Sequence, residues 1–377
     1  MNIKKVVIVA IVSMVALAFL GQLPAQACSA FVLAKDGRIL FGRNFDYFTG
    51  AALLTVNPRN LEKTALVYPG VTAAHWTAKY GSVTFNQVSR DFPMGGMNEK
   101  GLVVECLWLP QTEYPTPDAR PVMTELQWIQ FMLDTCATAA EVVASDSLVR
   151  IFPSTTKLHF LITDASGASA VIEYRNGKSL LFGPDKAAVP ALTNTSYGDD
   201  LESLKAFAGF GGQKAVPGKW TTSTDRFVVL AGGVRRLEEG PSAIDYPDAF
   251  ALLEVMSYEG PDAQTQWRIV YDPAGREIRF KTRNNMETRS VSLGGLDFAC
   301  EREAKVYDLA GDDKGDLARI LVSATIELNV AFTRKTFETY WQAGFSQEMA
   351  PFIVEIIGRH PSTDRCNSPK PSSVIGH

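Results

Sequence analysis

The chain has 377 residues, 46% hydrophobic and 21% charged, with a net charge of −4 at pH 7. Those proportions belong to an ordinary globular protein and exclude a disordered or fibrous chain. The negative balance argues against a nucleic-acid backbone or an anionic membrane surface as partner.

Residues 1–27 read as a secretory signal. Lys4 and Lys5 form a positive n-region, Val6 to Leu20 an apolar run, and Gly21 and Pro24 break it ahead of Ala25-Gln26-Ala27, an A-x-A cleavage site. The run falls short of the roughly 20 apolar residues a spanning helix needs. The expectation is therefore a removed address and a soluble mature chain over 28–377, exported to the periplasm or secreted, with no membrane partner after processing. No linker rich in Pro or Gly/Ser interrupts 28–377, so it reads as one domain with a C-terminal helical extension.

In the mature region, Ser29–Ala34 and Arg38–Tyr47 flank Lys35-Asp36-Gly37, a hairpin signal. A second strand group follows, with Leu102–Leu109 its clearest member. Helical spacing over Val122–Ala137 places Leu126, Ile129, Met132 and Leu133 on one face, and a second helix is expected over Ala139–Val149. Strands resume at Leu158–Thr163, Ala168–Tyr174 and Ser179–Phe182, the last after an Asn176-Gly177 turn. Helices are expected over Asp199–Phe210, Asp225–Arg236 and Asp248–Tyr258, the third just after Pro247. Trp267–Tyr271 and Glu277–Thr282 form a further hairpin. Residues from Ile320 to Ile357 read as mostly helical, and the Pro/Ser-rich tail from His360 as loose. This alternation of strand and helix groups predicts sheets layered between helix pairs, an α+β fold.

The five cysteines are Cys28, Cys106, Cys136, Cys300 and Cys366. An oxidising compartment pairs an even number, so one is left over. Cys28, at the cleavage point, is the natural odd one. Cys300 and Cys366 are candidates for a bridge tying down the tail, while Cys106 and Cys136 lie in apolar surroundings as buried thiols do.

Cleavage after Ala27 would give Cys28 both a thiol and a free α-amine. With reference pKa values of about 8.5 and 7.7–8.0, the amine can take the thiol proton at neutral pH. No histidine is needed, and only His75, His159, His360 and His377 exist. G-x-S-x-G, H-E-x-x-H, C-x-x-C and P-loop patterns are absent. A lipidated, non-catalytic ligand-binding lipoprotein would also begin at Cys28, but Ala25 and Gln26 stand where such proteins carry Leu and a small residue.

Five ordered blocks carry a resemblance: Cys28-Ser29-Ala30-Phe31 with Phe41-Gly42-Arg43-Asn44-Phe45-Asp46, then Gly96-Met97-Asn98-Glu99-Lys100-Gly101-Leu102, Leu158-His159-Phe160, Leu192-Thr193-Asn194 and Ser223-Thr224-Asp225-Arg226-Phe227. From Cys28 to about Asn284 the chain resembles the choloylglycine hydrolase family. This branch of the N-terminal-nucleophile hydrolases includes conjugated bile acid hydrolases and penicillin V acylases. The resemblance implies a four-layer αββα sandwich and hydrolysis of a linear C–N amide bond without metal or organic cofactor. It implies Cys28 as nucleophile and, through its amine, base. Asp46 would orient the amine, Arg43 would favour the thiolate, Arg226 would lie near the thiol, and Asn194 would donate to the oxyanion.

One departure concerns specificity. Trp108-Leu109-Pro110 stands where bile-salt-specific members resemble Asn-Phe-Pro, a position whose backbone N–H also serves the oxyanion hole. Trp108 keeps that N–H and loses the side-chain amide, as in penicillin V acylase-like members of Gram-negative bacteria. The implied partner is a small N-acyl amide with an apolar or aromatic acyl group, such as penicillin V or an N-acyl-homoserine lactone, with a bile salt as the alternative. The implied assembly is a homotetramer. Elsewhere, Asp312-Asp313-Lys314-Gly315-Asp316 lacks the alternating ligands of a calcium loop, Gly209-Phe210-Gly211-Gly212 reads as plain loop, and Tyr340 and Trp341 as core or interface.

Overall fold

The computed structural model describes residues 27–152, 156–183, 189–342 and 350–367, without the side chains of 341, 342 and 350. The expected signal segment up to residue 26 and the Trp341 side chain thus lie outside the described residues. No described helix is long and apolar enough to cross a membrane.

Two large sheets dominate. With strands numbered in chain order, one sheet runs β14 (Ala191–Leu192), β1 (Ser29–Lys35), β2 (Arg38–Tyr47), β15 (Gln264–Asp272), β16 (Glu277–Thr282), β17 (Asn285–Ser292) and β19 (Gly315–Asp316). The other runs β13 (Lys178–Phe182), β12 (Ser169–Arg175), β11 (Leu158–Thr163), β8 (Val103–Trp108), β7 (Pro93–Asn98), β6 (Ser82–Asn86), β3 (Leu53–Asn57), β18 (Lys305–Asp308) and β20 (Val322–Ser323). Smaller sheets join β9 (Val122–Met123) to β10 (Arg150–Ile151), and β4 (Leu61–Thr64) to β5 (His75–Thr77) and β21 (Arg365–Cys366).

Helices α1 (Glu125–Thr135) and α2 (Ala139–Ser145) cover the nine-stranded sheet; α4 (Ser223–Glu239) and α5 (Tyr246–Val255) cover the seven-stranded one. The expected four layers follow from the strand pattern. Along β11, Leu158, Phe160 and Ile162 join the core under α1, while Leu161 joins the core between the sheets. A strand buried on both faces sends alternate side chains into two different cores.

Local chemistry explains the turns and helix starts. At the β1–β2 turn Asp36 and Gly37 take φ of 50° and 78°, and at the β12–β13 turn Asn176 and Gly177 take 51° and 71°. These left-handed pairs match the twist of two-residue hairpins. Thr124 caps α1 by accepting the Gln127 N–H at 3.2 Å, and Thr222 with Asp225 forms a capping box on α4.

Several expected boundaries shift. Val122 and Met123 are strand, because the helix can begin only after the extended Thr124 cap. The helix expected to reach Val149 ends at Ser145. The helix expected over Asp199–Phe210 is α3 (Tyr197–Leu204), with Gly209 and Gly211 beyond it at positive φ in a hydrogen-bonded loop. The helix expected to reach Tyr258 ends at Val255. The region from Ile320 first pairs as β20, then forms α6 (Ile326–Gln342) and α7 (Ala350–Arg359). Tyr340 is buried against Tyr47 and Phe48. The segment from His360 to Cys366 is not loose: Arg90 grips Asp364 at 2.8 Å, β21 pairs with β4, and Cys366 is joined to Cys300. Cys28, Cys106 and Cys136 are free and buried.

Candidate active site

Cys28 immediately precedes β1 and is 2% exposed. The register that sets Ser29 opposite Asn44 carries it alongside the end of β2, where its Sγ lies 3.8 Å from the Asp46 carbonyl oxygen. Alternation along β2 then divides the neighbouring side chains. Arg43 points between the sheets, whereas Asn44 and Asp46 point toward α5 and α4.

Arg43 is held from three sides. Its Nε donates to Glu105 Oε2 at 2.6 Å and its two Nη atoms to the carbonyls of Asn44 and Cys106 at 2.5 and 2.8 Å. Glu105 also accepts from the Tyr271 hydroxyl. Gly95 leaves the room for this carboxylate, since a Cβ there would run into it. Asp46 Oδ1 accepts from Thr265 Oγ1 at 2.5 Å, while Oδ2 lies 4.0 Å from Arg226 and has no hydrogen-bond partner among the described residues.

Asn194 follows β14. Its N–H donates to Ser223 Oγ at 2.8 Å, its Oδ1 accepts from Arg226 at 2.8 Å, and its Nδ2 donates to the Trp108 carbonyl at 2.7 Å. An amide nitrogen carries two hydrogens, so a second remains. Trp108 ends β8. Leu109 N–H donates to Lys157 across the β11 ladder, so alternation turns the Trp108 N–H and carbonyl to the opposite side, where Asn194 lies. Arg226 is further packed against the Trp220 ring, 5.3 Å from its centroid.

The electrostatics are those of a dry pocket. Burial raises the Cys28 thiol above its ordinary value; Arg43 and Arg226 oppose that, and Asp46 adds to it. Burial lifts the Asp46 carboxyl to about 7, against the Thr265 hydrogen bond and the Arg226 and Arg43 charges. It lifts Glu105 to about 7 as well, against Arg43 and Tyr271, and it lowers the Arg226 guanidinium. The arrangement offers a thiol, two fixed cations, a carboxylate with an orphaned oxygen, and two N–H donors converging from different sheets.

All six residues singled out in the sequence, Cys28, Arg43, Asp46, Trp108, Asn194 and Arg226, come together here. Glu105, Thr265 and Ser223 were not anticipated. Only Glu105 left a signal, as a carboxylate inside the apolar strand Val103–Trp108. Among the described residues, Cys300, Glu301 and Cys366 are the one grouping of three metal-ligating side chains, and its two sulfurs are joined as a disulfide.

Residues 28–196 match the linear amide C–N hydrolases of the choloylglycine hydrolase family. A penicillin V acylase of Pectobacterium atrosepticum is 30% identical over 76% of this chain and 86% of its own length. A bile salt hydrolase/transferase of Clostridium perfringens is 29% identical over 48% of this chain and 58% of its own. Among solved structures, penicillin V acylase from Agrobacterium tumefaciens superposes with a TM-score of 0.69 at 26% identity, covering 79% of this chain and 98% of that one. A conjugated bile acid hydrolase from Clostridium perfringens shares the fold, with a TM-score of 0.64 at 20% identity over 77% of this chain and 98% of that one. The chain belongs to the choloylglycine hydrolase family of linear amide C–N hydrolases.

Proposed function

We propose that the protein is an exported acylase, matured by cleavage after Ala27, in which Cys28 attacks the carbonyl of a small N-acyl amide of the penicillin V or N-acyl-homoserine lactone type. The observation that carries the reading is the buried, unpartnered Oδ2 of Asp46, a residue whose backbone carbonyl lies against Cys28 and whose carboxylate acts on its thiol. A buried acceptor without a partner is costly, and a free α-ammonium at Cys28 would supply one. The family match beginning at residue 28 supports the same maturation point.

In this mechanism the amine takes the thiol proton, directly or through water, and sulfur bonds to the acyl carbon. Asn194 Nδ2 and the Trp108 N–H stabilise the oxyanion. The ammonium returns its proton to the leaving nitrogen as the C–N bond breaks. Water, deprotonated by the same amine, then opens the thioester and releases the acid. Arg43 and Arg226 offset the effect of burial on the thiol. The periplasm is the proposed compartment and a homotetramer the proposed assembly.

Trp108 favours an aromatic or long apolar acyl group over a steroid acid, because it offers a ring face and no side-chain amide. N-terminal mass analysis of the exported protein, followed by hydrolysis of penicillin V, a long-chain acyl-homoserine lactone, glycocholate and taurocholate, tests the reading. A free N-terminal Cys28 with kcat/KM highest for one of the first two is expected. A diacylglyceryl-Cys28 without turnover would replace it with a lipoprotein, and a bile-salt preference would overturn the substrate class.

A further inference from the structure

His159 and Glu173 form a further buried titratable pair. They face each other across neighbouring strands β11 and β12, are 0% exposed, and are joined Nδ1 to Oε1 at 2.9 Å. Each reaches onward to one short stretch of chain. His159 Nε2 lies 2.7 Å from the Thr193 carbonyl oxygen. That oxygen can only accept, so Nε2 carries the hydrogen. Glu173 Oε1 accepts the Tyr197 N–H at 2.7 Å, and Oε2 accepts from Ser196 Oγ at 3.1 Å. Tyr197 opens α3, and Ser196 does not cap that helix with its own side chain. The carboxylate therefore satisfies a first-turn N–H where negative charge is favoured. Burial raises the Glu173 carboxyl, but the hydrogen bonds and charge of His159, with the Tyr197 and Ser196 donors, hold it below its ordinary value.

Asn194 lies between these two anchor points. Asn194 donates directly to the Trp108 carbonyl, and its two remaining side-chain partners, Ser223 and Arg226, both come from α4, on the seven-stranded side. Trp108 belongs to the nine-stranded sheet, and His159 stands on the strand next to it, opposite Leu107. The His159–Glu173 pair thus ties the Asn194 loop to the sheet that presents the Trp108 N–H.

We infer that His159 and Glu173 are positioning residues that set the distance between the two oxyanion donors, Asn194 and Trp108, by pinning residues 193–197 to the nine-stranded sheet. The inference rests on the oxyanion role proposed for Asn194. Neither side chain touches substrate. They act because a displacement of about 1 Å at a reacting group can cost on the order of 10² in rate.

The test is a kinetic cycle on the mature protein with penicillin V, or with glycocholate if that is hydrolysed faster, using His159→Leu, Asn194→Ala and the double variant. His159→Leu is expected to lower kcat on the order of 10²-fold with KM changed less than about twofold, as for a group acting only on the transition state. His159→Gln, which keeps one amide donor, should recover part of that loss. The double variant should turn over no more slowly than Asn194→Ala alone, because the device has nothing left to position. If His159→Leu does not fold, Glu173→Gln takes its place in the cycle. Losses that multiply, or a rise in KM alone, would overturn the inference while leaving Asn194 as an oxyanion donor. A wild-type kcat in Asn194→Ala would instead overturn the oxyanion reading, and the positioning role with it.

Discussion

Arg43 and Glu105 form a 2.6 Å ion pair between the two sheets, with side chains 2% and 1% exposed. They lie 62 residues apart in sequence. Each charge depends on the other, because neither has water to fall back on. Glu105→Ala would leave a buried guanidinium beside Cys28. It should cost roughly 3–5 kcal/mol of stability, read by urea denaturation. A loss below about 1 kcal/mol would mean that Arg43 is satisfied by its two carbonyl acceptors alone.

Stability should also depend on pH in a definite sense. Burial lifts Glu105 and Asp200 to about 7, whereas unfolded carboxyls titrate near 4. Between those values the folded chain binds more protons than the unfolded one. Their contribution is therefore full below about pH 4 and is lost as pH rises through about 7. Asp91 and Glu173, whose carboxyls are lowered, act oppositely in a more acidic window. The unfolding free energy at pH 8 should be smaller than at pH 5.5, and Asp200→Asn should reduce the difference. Equal stability at the two pH values would contradict this assignment.

Cys28→Ser should abolish most turnover, since a hydroxyl is far harder to deprotonate with an amine of pKa near 8. Retaining Ala27 should do the same, by keeping that nitrogen an amide. Cys106 is buried, with Sγ 3.1 Å from the Met94 carbonyl oxygen, so Cys106→Ala should lower the melting temperature and leave kcat unchanged. A folded but inactive Cys106→Ala protein would move the nucleophile to that residue.

Trp108→Asn should narrow the gap in kcat/KM between penicillin V and glycocholate while the backbone donor survives. The expected change is a few-fold to tenfold, within the roughly 0.5–1.5 kcal/mol that an aromatic contact contributes. An unchanged ratio would place acyl selection elsewhere in the site.

The Cys300–Cys366 bridge spans 66 residues and ties β21, and with it Asp364, to the body of the protein. Removing it by Cys366→Ser should cost roughly 2–4 kcal/mol. With the tail then left to the Arg90–Asp364 contact and the β21 pairing without a covalent tie, the variant should also expose the tail to proteolysis before the rest of the chain unfolds. Limited proteolysis with mass mapping reads this directly, and cleavage scattered equally over the chain would argue against local release.

What the sequence determined by itself is local. The Asp36-Gly37 and Asn176-Gly177 hairpins, the paired strands around them and the amphipathic face of α1 rest on turn chemistry and side-chain periodicity within a few residues. Cys28 was reached from the cleavage site and the odd cysteine count, and the other five residues of the site through family resemblance, because no spacing rule joins Cys28 to Asn194 or Arg226. Tertiary structure alone decided which charges meet. Arg43 meets Glu105 because two whole sheets pack together, Asp46 meets Thr265, 219 residues away, because β2 pairs with β15 in that register, and Arg90 meets Asp364 because the tail docks. Short strands such as the three-residue β5 were also not legible, since their identity comes from the partners that hydrogen-bond them. A docked tail and a loose one have the same composition. The bridge at Cys366, the pairing of β21 with β4 and the buried Arg90 that meets Asp364 distinguish them.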